Sequence, residues 1–315
     1  MLRYGILVLI AVLLIGCGSD VGPAADISIE VTPERLARGE YLAESVAGCV
    51  DCHSIRDWNK YSAPVMDHTR GGGGEVWDEE HGFPGTLYAP NITPYALADW
   101  SDGEIIRAFT EGLSKDDRPL FPLMPYYKYG QMSTEDIYSI VAYIRTLDPI
   151  ENTTPESKLN FPLNVIVKAM PAPAELKAST PQPEDPEYGA YMTNAAVCGD
   201  CHTPTDDKGR PLEGMEYAGG FTMIMHDGMA VNSSNLTPHE TGLGAWSRQQ
   251  FIDRFKALDS PAARNIPMSP GQNNTIMPWT YYATMTAEDL GAIYDYLSSL
   301  KPVDNAVVKY PDQTL

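Results

Sequence analysis

Two short motifs carry the residues of this chain that are best suited to covalent or metal chemistry. They share the pattern Cys-x-x-Cys-His and stand at Cys49, Cys52 and His53 and again at Cys198, Cys201 and His202. The spacing places two thiols within one helical turn, with an imidazole directly after the second. Thiols so placed can attach to a cofactor, form a redox-active disulfide or bind a metal ion.

The histidine and the repetition favour covalent attachment of haem. In such a site the cysteines form thioethers with the haem vinyl groups, and the histidine gives the proximal nitrogen to iron. A redox disulfide does not need a histidine after both pairs, and a zinc site would have to join cysteines from two separate copies. We therefore predict two covalently bound haem c groups, with proximal ligands His53 and His202 and attachment residues Cys49, Cys52, Cys198 and Cys201.

The second axial ligand decides whether the iron carries electrons or binds small molecules. Met124 and Met277 recur at equivalent positions, each followed by proline in a loop, and we predict them as distal ligands. Met132 and Met285 also recur, but each directly precedes a helix N-cap, where a hydrophobic side chain packs on the helix. The alternative is that Met124 and Met277 only line the pockets. The other histidines lack matching partners and are predicted to be ordinary loop residues: His68, His81, His226 and His239.

The motifs lie within an internal repeat, which sets the organisation of the chain. In each copy, Cys-x-x-Cys-His is followed by Asn-x-Thr-Pro, Trp-Ser, Met-Pro and a final helix. We predict tandem domains over 33–150 and 188–303, a proline-rich connector over 151–187 and a tail over 304–315. The connector is expected to be semi-rigid, with its apolar stretch 161–170 packed across a domain surface.

Helices are predicted to position these residues. Ser101 and Ser247 each begin a capping box, and Ser133 and Thr286 are N-cap candidates before residues that are apolar on one helical face. With 26 glycines and 26 prolines, loops should take a large share and a sheet-dominated fold is not expected. The glycine run 71–74 is predicted to be a flexible surface insertion.

Two further features are compatible with either contact to a cofactor or a packing role. The first is Trp100 and Trp246, whose indole N–H groups can reach a cofactor edge or its carboxylates. The second is the asparagine and threonine of the two Asn-x-Thr-Pro turns. A packing role for these residues is equally compatible with the sequence.

The N-terminal residues are predicted to be a signal peptide. Arg3 precedes an apolar run from Ile6 to Ile15, which is too short to span a bilayer. The run leads into Gly16-Cys17 and resembles a bacterial lipobox, which implies cleavage before Cys17 and lipidation of that residue. We predict a lipoprotein signal peptide over 1–16 and a tether over 17–32; an ordinary secretory signal is the alternative. The mature protein is expected in the cell envelope, anchored to a membrane and facing the periplasm or exterior.

Charge restricts the class of partner. The 315 residues contain 22 Lys and Arg against 42 Asp and Glu, a net charge of −20. This composition argues against a nucleic-acid partner, because phosphate backbones are bound by clustered basic residues. An acidic carrier is expected to prefer a redox protein with a basic docking face.

From about Glu34 to Val303 the chain resembles the cytochrome c subunits of bacterial membrane-associated alcohol and gluconate dehydrogenases and related dihaem cytochromes c. The two haem motifs, the Asn-x-Thr-Pro to Trp-Ser stretches and the Met-Pro loops carry this resemblance. It implies an all-α fold of two tandem class I cytochrome c domains with long loops, whose first and last helices cross at Gly39 and Gly189. It also implies that the loop methionine is the distal ligand. The chain differs in having two haem motifs, where the dehydrogenase subunits typically carry three, and a lipid anchor.

These observations predict electron transfer by a lipid-anchored dihaem cytochrome c that accepts electrons from a periplasmic or membrane-bound dehydrogenase. An electron carrier is favoured over an enzyme. One alternative is a dihaem peroxidase, which needs a displaceable distal ligand and an acid–base group above one haem. The matching Met-Pro loops count against it, because a catalytic haem should break the symmetry. Another alternative is a haem-based ligand sensor or a structural haem subunit of a larger respiratory complex.

Overall fold

A computed structural model of the chain describes residues 19–269 and 271–311. The predicted signal peptide over 1–16 and the predicted lipidation site Cys17 lie outside the described residues. Within the described ranges, no helix is both long and apolar enough to cross a membrane.

Helices surround the first Cys-x-x-Cys-His motif. In chain order they are α1 (Pro33–Tyr41), a π-helical turn (Leu42–Val46), α2 (Cys49–Cys52), α3 (Pro94–Leu97), α4 (Asp102–Glu111), α5 (Tyr126–Tyr129) and α6 (Thr134–Ile144). The Ser101 side chain accepts a hydrogen bond from the Glu104 amide, and the Glu104 carboxylate accepts one from the Ser101 amide. The capping box predicted at the start of α4 is therefore confirmed.

The second half repeats this arrangement after a connector that contains α7 (Leu163–Ile166). Its helices are α8 (Tyr188–Ala195), α9 (Cys198–His202), α10 (Arg248–Lys256), α11 (Trp279–Tyr282) and α12 (Ala287–Ser299). Ser247 caps α10 in a second complete capping box, and Thr286 caps α12 by accepting a hydrogen bond from the Asp289 amide. These predicted helix starts are also confirmed.

The first and last helices of each half cross at a glycine, whose lack of a side chain lets the two backbones approach closely. A Cβ atom on Gly39 would lie 1.9 Å from the Ser139 carbonyl oxygen of α6. A Cβ atom on Gly189 would lie 2.2 Å from the Ala292 carbonyl oxygen of α12. Both distances are far below van der Waals contact, so only glycine allows these crossings, as the resemblance implied.

The all-α prediction is wrong, because the described residues include two small antiparallel sheets. The first sheet has the order β1 (Val76–Trp77), β2 (Gly85–Tyr88) and β3 (Lys158–Leu159), with Val76 opposite Tyr88 and Gly85 opposite Leu159. The second pairs β4 (Thr222–Ile224) with β5 (Ala230–Asn232). β1, β2, β4 and β5 lie in the long segments between Cys-x-x-Cys-His and Asn-x-Thr-Pro. Pairing satisfies main-chain N–H and C=O groups that those segments would otherwise leave unbonded.

The connector lies along the first half instead of bridging open space. Its Glu175 and Lys177 amides donate hydrogen bonds to the carbonyls of Gly130 and Met132. The expected packing of stretch 161–170 is only partly correct. Val167 is buried, but other apolar side chains of this stretch are exposed: Phe161, Val165 and Ile166.

One hydrophobic core runs through both halves. It includes fully buried side chains from each, such as Leu42, Met132, Met192 and Leu297. Met132 is buried as its predicted packing role under α6 requires.

At the polar edge of this core, each half contributes a tyrosine that hydrogen-bonds to an aspartate of the other half. Tyr41 of α1 donates a hydrogen bond to Asp289 of α12, and Tyr191 of α8 donates one of 2.6 Å to Asp136 of α6. The two tyrosines occupy equivalent positions in the repeat, and so do the two aspartates. The halves are therefore joined by a reciprocal pair of contacts.

Candidate functional site

Each cysteine pair lies on one short helical turn that begins in a left-handed backbone conformation. Gly48, with φ 68°, precedes α2, which carries Cys49 and Cys52. In the second half Val197 takes the same conformation, with φ 56°, before α9. A β-branched residue rarely adopts positive φ, so the surrounding fold must hold Val197 in place. The two halves thus present their thiols on the same local geometry.

Each predicted proximal histidine is oriented by a main-chain carbonyl. His53 Nδ1 lies 2.7 Å from the Pro90 carbonyl oxygen, and His202 Nδ1 lies 2.7 Å from the Ser234 carbonyl oxygen. Since a carbonyl oxygen can only accept, Nδ1 carries the proton and Nε2 keeps its lone pair. Burial lowers the pKa of both histidines, which keeps the rings neutral. A neutral imidazole with a free Nε2 is suited to bind a metal.

A glycine amide holds the carbonyl of each of these histidines. Gly73 donates to the His53 carbonyl and Gly219 donates to the His202 carbonyl, both at 2.8 Å. The glycine run 71–74 is therefore not a flexible surface insertion: Gly71 to Gly73 are buried. A Cβ atom on Gly73 would lie 2.6 Å from the Asn91 amide nitrogen. This role was not predicted from the sequence. The pair Gly73-Gly74 recurs as Gly219-Gly220 in the second half, and this recurrence could have indicated it.

The Asn-x-Thr-Pro turns tie the histidine loop to the chain that follows the last helix. Asn91 Oδ1 accepts hydrogen bonds from the Thr93 amide and hydroxyl, while Asn91 Nδ2 donates to the Ile150 carbonyl. The second turn repeats this pattern, with Asn235 donating to the Val303 carbonyl. Of the two interpretations kept open above, these bonds support a structural role for the turns.

The second half encloses a cavity of about 430 Å³. It brings together the four residues predicted for that half, and its other lining residues are mainly apolar. The predicted residues are Cys198, Cys201, His202 and Met277. Met285 and Trp246 also line the cavity. Its volume lies within the range of small-molecule and cofactor sites.

Polar groups at this cavity suit a bound group that carries carboxylates. In the described part of the chain, the buried indole Nε1 of Trp279 has no hydrogen-bond acceptor. The Arg254 guanidinium lies 4.3 Å from the centre of the Trp279 ring, and Lys309 also lines the cavity. An apolar chamber with an unpaired N–H donor and two cations fits haem, which has an apolar macrocycle and two propionates.

The first half places its predicted residues around the same core. Cys49 and His53 are buried, and Met124 is partly buried against the cluster that contains Cys49. Met124 lies in a turn before α5, as Met277 lies before α11. Trp100 packs on this cluster as well.

The environment of the thiols does not suit a redox-active pair. Burial raises the pKa of Cys49 and Cys198 to about 12 and that of Cys201 to about 11. The pKa of Cys52 rises to about 12 for the same reason, although Cys52 and Cys201 are both exposed to solvent on part of their surface. Reactive cysteines instead have lowered pKa values that supply a thiolate at neutral pH.

Two of the remaining histidines contact each other across the halves. His81 Nε2 lies 2.8 Å from His226 Nδ1, and His81 Nδ1 lies 2.7 Å from Asp78. No group of three or more His, Cys, Asp or Glu residues in the described ranges is arranged to hold a metal ion.

Comparison with known proteins confirms the resemblance to cytochromes c that the motifs predicted. The chain is 29% identical, over 92% of its length, to an alcohol dehydrogenase (quinone) cytochrome c subunit of Gluconacetobacter polyoxogenes. It is 29% identical, over 88% of its length, to a gluconate 2-dehydrogenase cytochrome c subunit of Pantoea cypripedii. It is 27% identical, over 86% of its length, to a dihaem cytochrome c-type protein of Cereibacter sphaeroides.

The relatives differ in length from this chain. It covers 60% of the Gluconacetobacter subunit and 63% of the Pantoea subunit, but 87% of the Cereibacter protein. No family model matches the chain.

Proposed function

We propose that this chain is a dihaem cytochrome c that transfers electrons and does no chemistry on a substrate. The observation that carries the proposal is the repeated site: two Cys-x-x-Cys-His turns, each with a histidine fixed at Nδ1 by a main-chain carbonyl. The match to the Cereibacter protein over most of both chains supports two haem groups in one chain.

The residues of each half have distinct roles in this proposal. Cys49 and Cys52, with Cys198 and Cys201, hold the two groups by thioether bonds, and His53 and His202 supply the proximal nitrogens. Met124 and Met277 are the distal ligands. Bound haem supplies an iron centre that gains or loses one electron. A histidine and methionine ligand pair favours relatively high reduction potentials.

The partner in this proposal is a dehydrogenase or a respiratory complex. Relatives named as cytochrome subunits of alcohol, fructose and gluconate dehydrogenases support this class. The net charge of −20 favours a partner with a basic docking face. We further propose that lipidated Cys17 holds the protein at a membrane of the cell envelope, facing the periplasm or exterior.

Optical spectra of the ferric holoprotein test the haem assignment. We expect two haems and a methionine-to-iron charge-transfer band that loses one component in Met124→Ala and the other in Met277→Ala. Met285→Leu is the matched control, since Met285 lines the same cavity and its loss should leave the band intact. A high-spin haem that reacts with peroxide would instead support the peroxidase alternative.

A further inference from the structure

A loop of the first half holds the loop of the second half that bears Met277. The two segments lie edge to edge through main-chain hydrogen bonds. The Met268 amide donates to the Asn59 carbonyl at 2.8 Å, and the Tyr61 amide donates to the Ile266 carbonyl at 2.9 Å. These bonds bring Ser62 to the Met277 loop.

Ser62 bridges the main chain on both sides of Pro278. Its hydroxyl donates to the Met277 carbonyl at 2.8 Å and accepts from the Trp279 amide at 2.7 Å. Ser62 is 1% exposed, so water does not compete for these bonds. The Trp279 amide also donates to the Met277 carbonyl directly, at 2.8 Å. One side chain of the first half thus adds two hydrogen bonds to the main-chain turn at the methionine predicted to bind the second haem.

Asn274 fixes Ser62 in this position. Its Oδ1 accepts a hydrogen bond of 2.9 Å from the Ser62 amide, and its Nδ2 donates to the Lys60 carbonyl at 3.0 Å. Asn274 is itself buried in the same second-half loop as Met277. Each of the two loops therefore contributes a side chain that hydrogen-bonds to the main chain of the other.

The backbone of the first-half loop is held in an unfavourable conformation. Ser62 and Ala63 have φ values of 63° and 42°, in the left-handed region that non-glycine residues rarely adopt. The buried Arg56 side chain donates hydrogen bonds to both of their carbonyls, at 3.1 Å and 2.9 Å. Such conformations persist only where the surrounding structure fixes them, and they concentrate at functional positions.

The first half lacks this arrangement at its own methionine. The bond from the Tyr126 amide to the Met124 carbonyl recurs in the second half as a bond of 2.8 Å from the Trp279 amide to the Met277 carbonyl. In the described ranges, however, no side chain of the second half hydrogen-bonds to the main chain of Met124 or Tyr126 as Ser62 does to that of Met277 and Trp279. The contact made by Ser62 therefore breaks the repeat symmetry, and its loss should affect only one haem.

We propose that Ser62 is a positioning residue for Met277, the distal ligand of the second haem. The proposal rests on the ligand assignment made under the proposed function. By fixing the Met277 carbonyl and the following amide, the hydroxyl holds the ligand-bearing loop at the cavity. The first half thus takes part in ligation of the haem bound by the second.

The test is an imidazole titration of the ferric holoprotein, followed through the methionine-to-iron band. In Ser62→Ala, the component assigned to Met277 should be displaced at about fivefold lower imidazole concentration, the effect of one net hydrogen bond. The component assigned to Met124 should not change. Ser114→Ala is the matched control, because Ser114 is also buried and its hydroxyl accepts from the Arg118 amide, away from Met277. It should behave as the wild type.

The possible outcomes distinguish the positioning role of Ser62 from the assignment of Met277 as the distal ligand. If Met277→Ala removes its component but Ser62→Ala titrates as the wild type, the role of Ser62 is refuted and the ligand assignment stands. A band unaffected by Met277→Ala refutes both. Should Ser62→Ala fail to fold, Asn274→Ala must show the same selective weakening, and an unaltered Met277 component there refutes the inference.

Discussion

At the scale of single residues, Trp279 distinguishes the two sites. It follows the Met-Pro pair at the position that Tyr126 holds in the first half. Its buried Nε1 and the nearby Arg254 guanidinium give the second cavity donors for a carboxylate. A negative charge near iron stabilises the oxidised state, and donors to that charge weaken this effect.

If the second haem is bound as proposed, Trp279→Phe should lower its midpoint potential. Phenylalanine retains an aromatic ring but loses the N–H donor, so the negative charge of a haem propionate in this cavity would be less well neutralised. The potential of the first haem should not change, and spectroelectrochemical titration of the holoprotein measures both. Trp77→Phe, in β1, is the control. Unchanged potentials in both haems would contradict the role assigned to Trp279.

The residues of the sites differ in how far sequence could reveal them. His53 and His202 were identifiable because the side chain itself is part of the motif. The groups that orient them were not, because Pro90 and Ser234 contribute main-chain carbonyls that any residue could provide. The amides of Gly73 and Gly219 differ in this respect, because a Cβ atom at either position would clash with the main chain, and the recurrence of glycine there could have indicated them. Ser62 has no repeat partner, so self-comparison of the sequence could not indicate it.

At the scale of elements, the crossings of α1 with α6 and of α8 with α12 depend on glycine. Gly39→Ala and Gly189→Ala should each destabilise the holoprotein by about 1–3 kcal/mol, the usual cost of overpacking. This cost exceeds the gain of up to about 1 kcal/mol that alanine brings to a helix. Denaturant unfolding followed by circular dichroism measures the change.

Gly22→Ala is the control for these variants. A Cβ atom there would meet nothing within 4 Å, so stability should change little. A stability of Gly39→Ala equal to that of the wild type would show that the two helices can separate without cost.

Local signals explain why the helices were predicted and the strands were not. The capping boxes at Ser101 and Ser247 and the apolar faces behind the N-caps lie within single segments. β1 has two residues, too few to show an alternating pattern. β3 pairs with β2 only because the connector folds back along the first half. Its pairing is set by tertiary structure.

At the scale of the whole molecule, each half contributes a tyrosine whose hydroxyl donates a hydrogen bond to a buried carboxylate of the other half. Burial, and then the Asp289 carboxylate, raise the pKa of Tyr41, so its hydroxyl keeps the proton that it donates. Asp289 has a second donor in Tyr188, at 2.5 Å, whereas Asp136 is paired with the Arg38 guanidinium at 2.8 Å. The two ends of the interface thus differ in charge compensation.

Tyr41→Phe should cost about 2 kcal/mol of unfolding free energy, as expected for a hydrogen bond to a charged group. Tyr191→Phe should cost less, because Arg38 continues to neutralise Asp136. Equilibrium denaturation of the holoprotein measures both. Tyr95→Phe, at an exposed position, is the control and should be neutral. Equal stability of Tyr41→Phe and the control would mean that the exchanged contact contributes nothing.

The contact between Tyr41 and Asp289 also constrains the order of folding. These residues are separated by 248 positions, so the chain must close a loop that spans more than three quarters of its length to join them. Contacts of such long range slow folding relative to local ones. Among the described residues, the packing of the first helix, α1, is completed only when the last, α12, has been made, so an N-terminal fragment that lacks α12 leaves Tyr41 without its Asp289 acceptor.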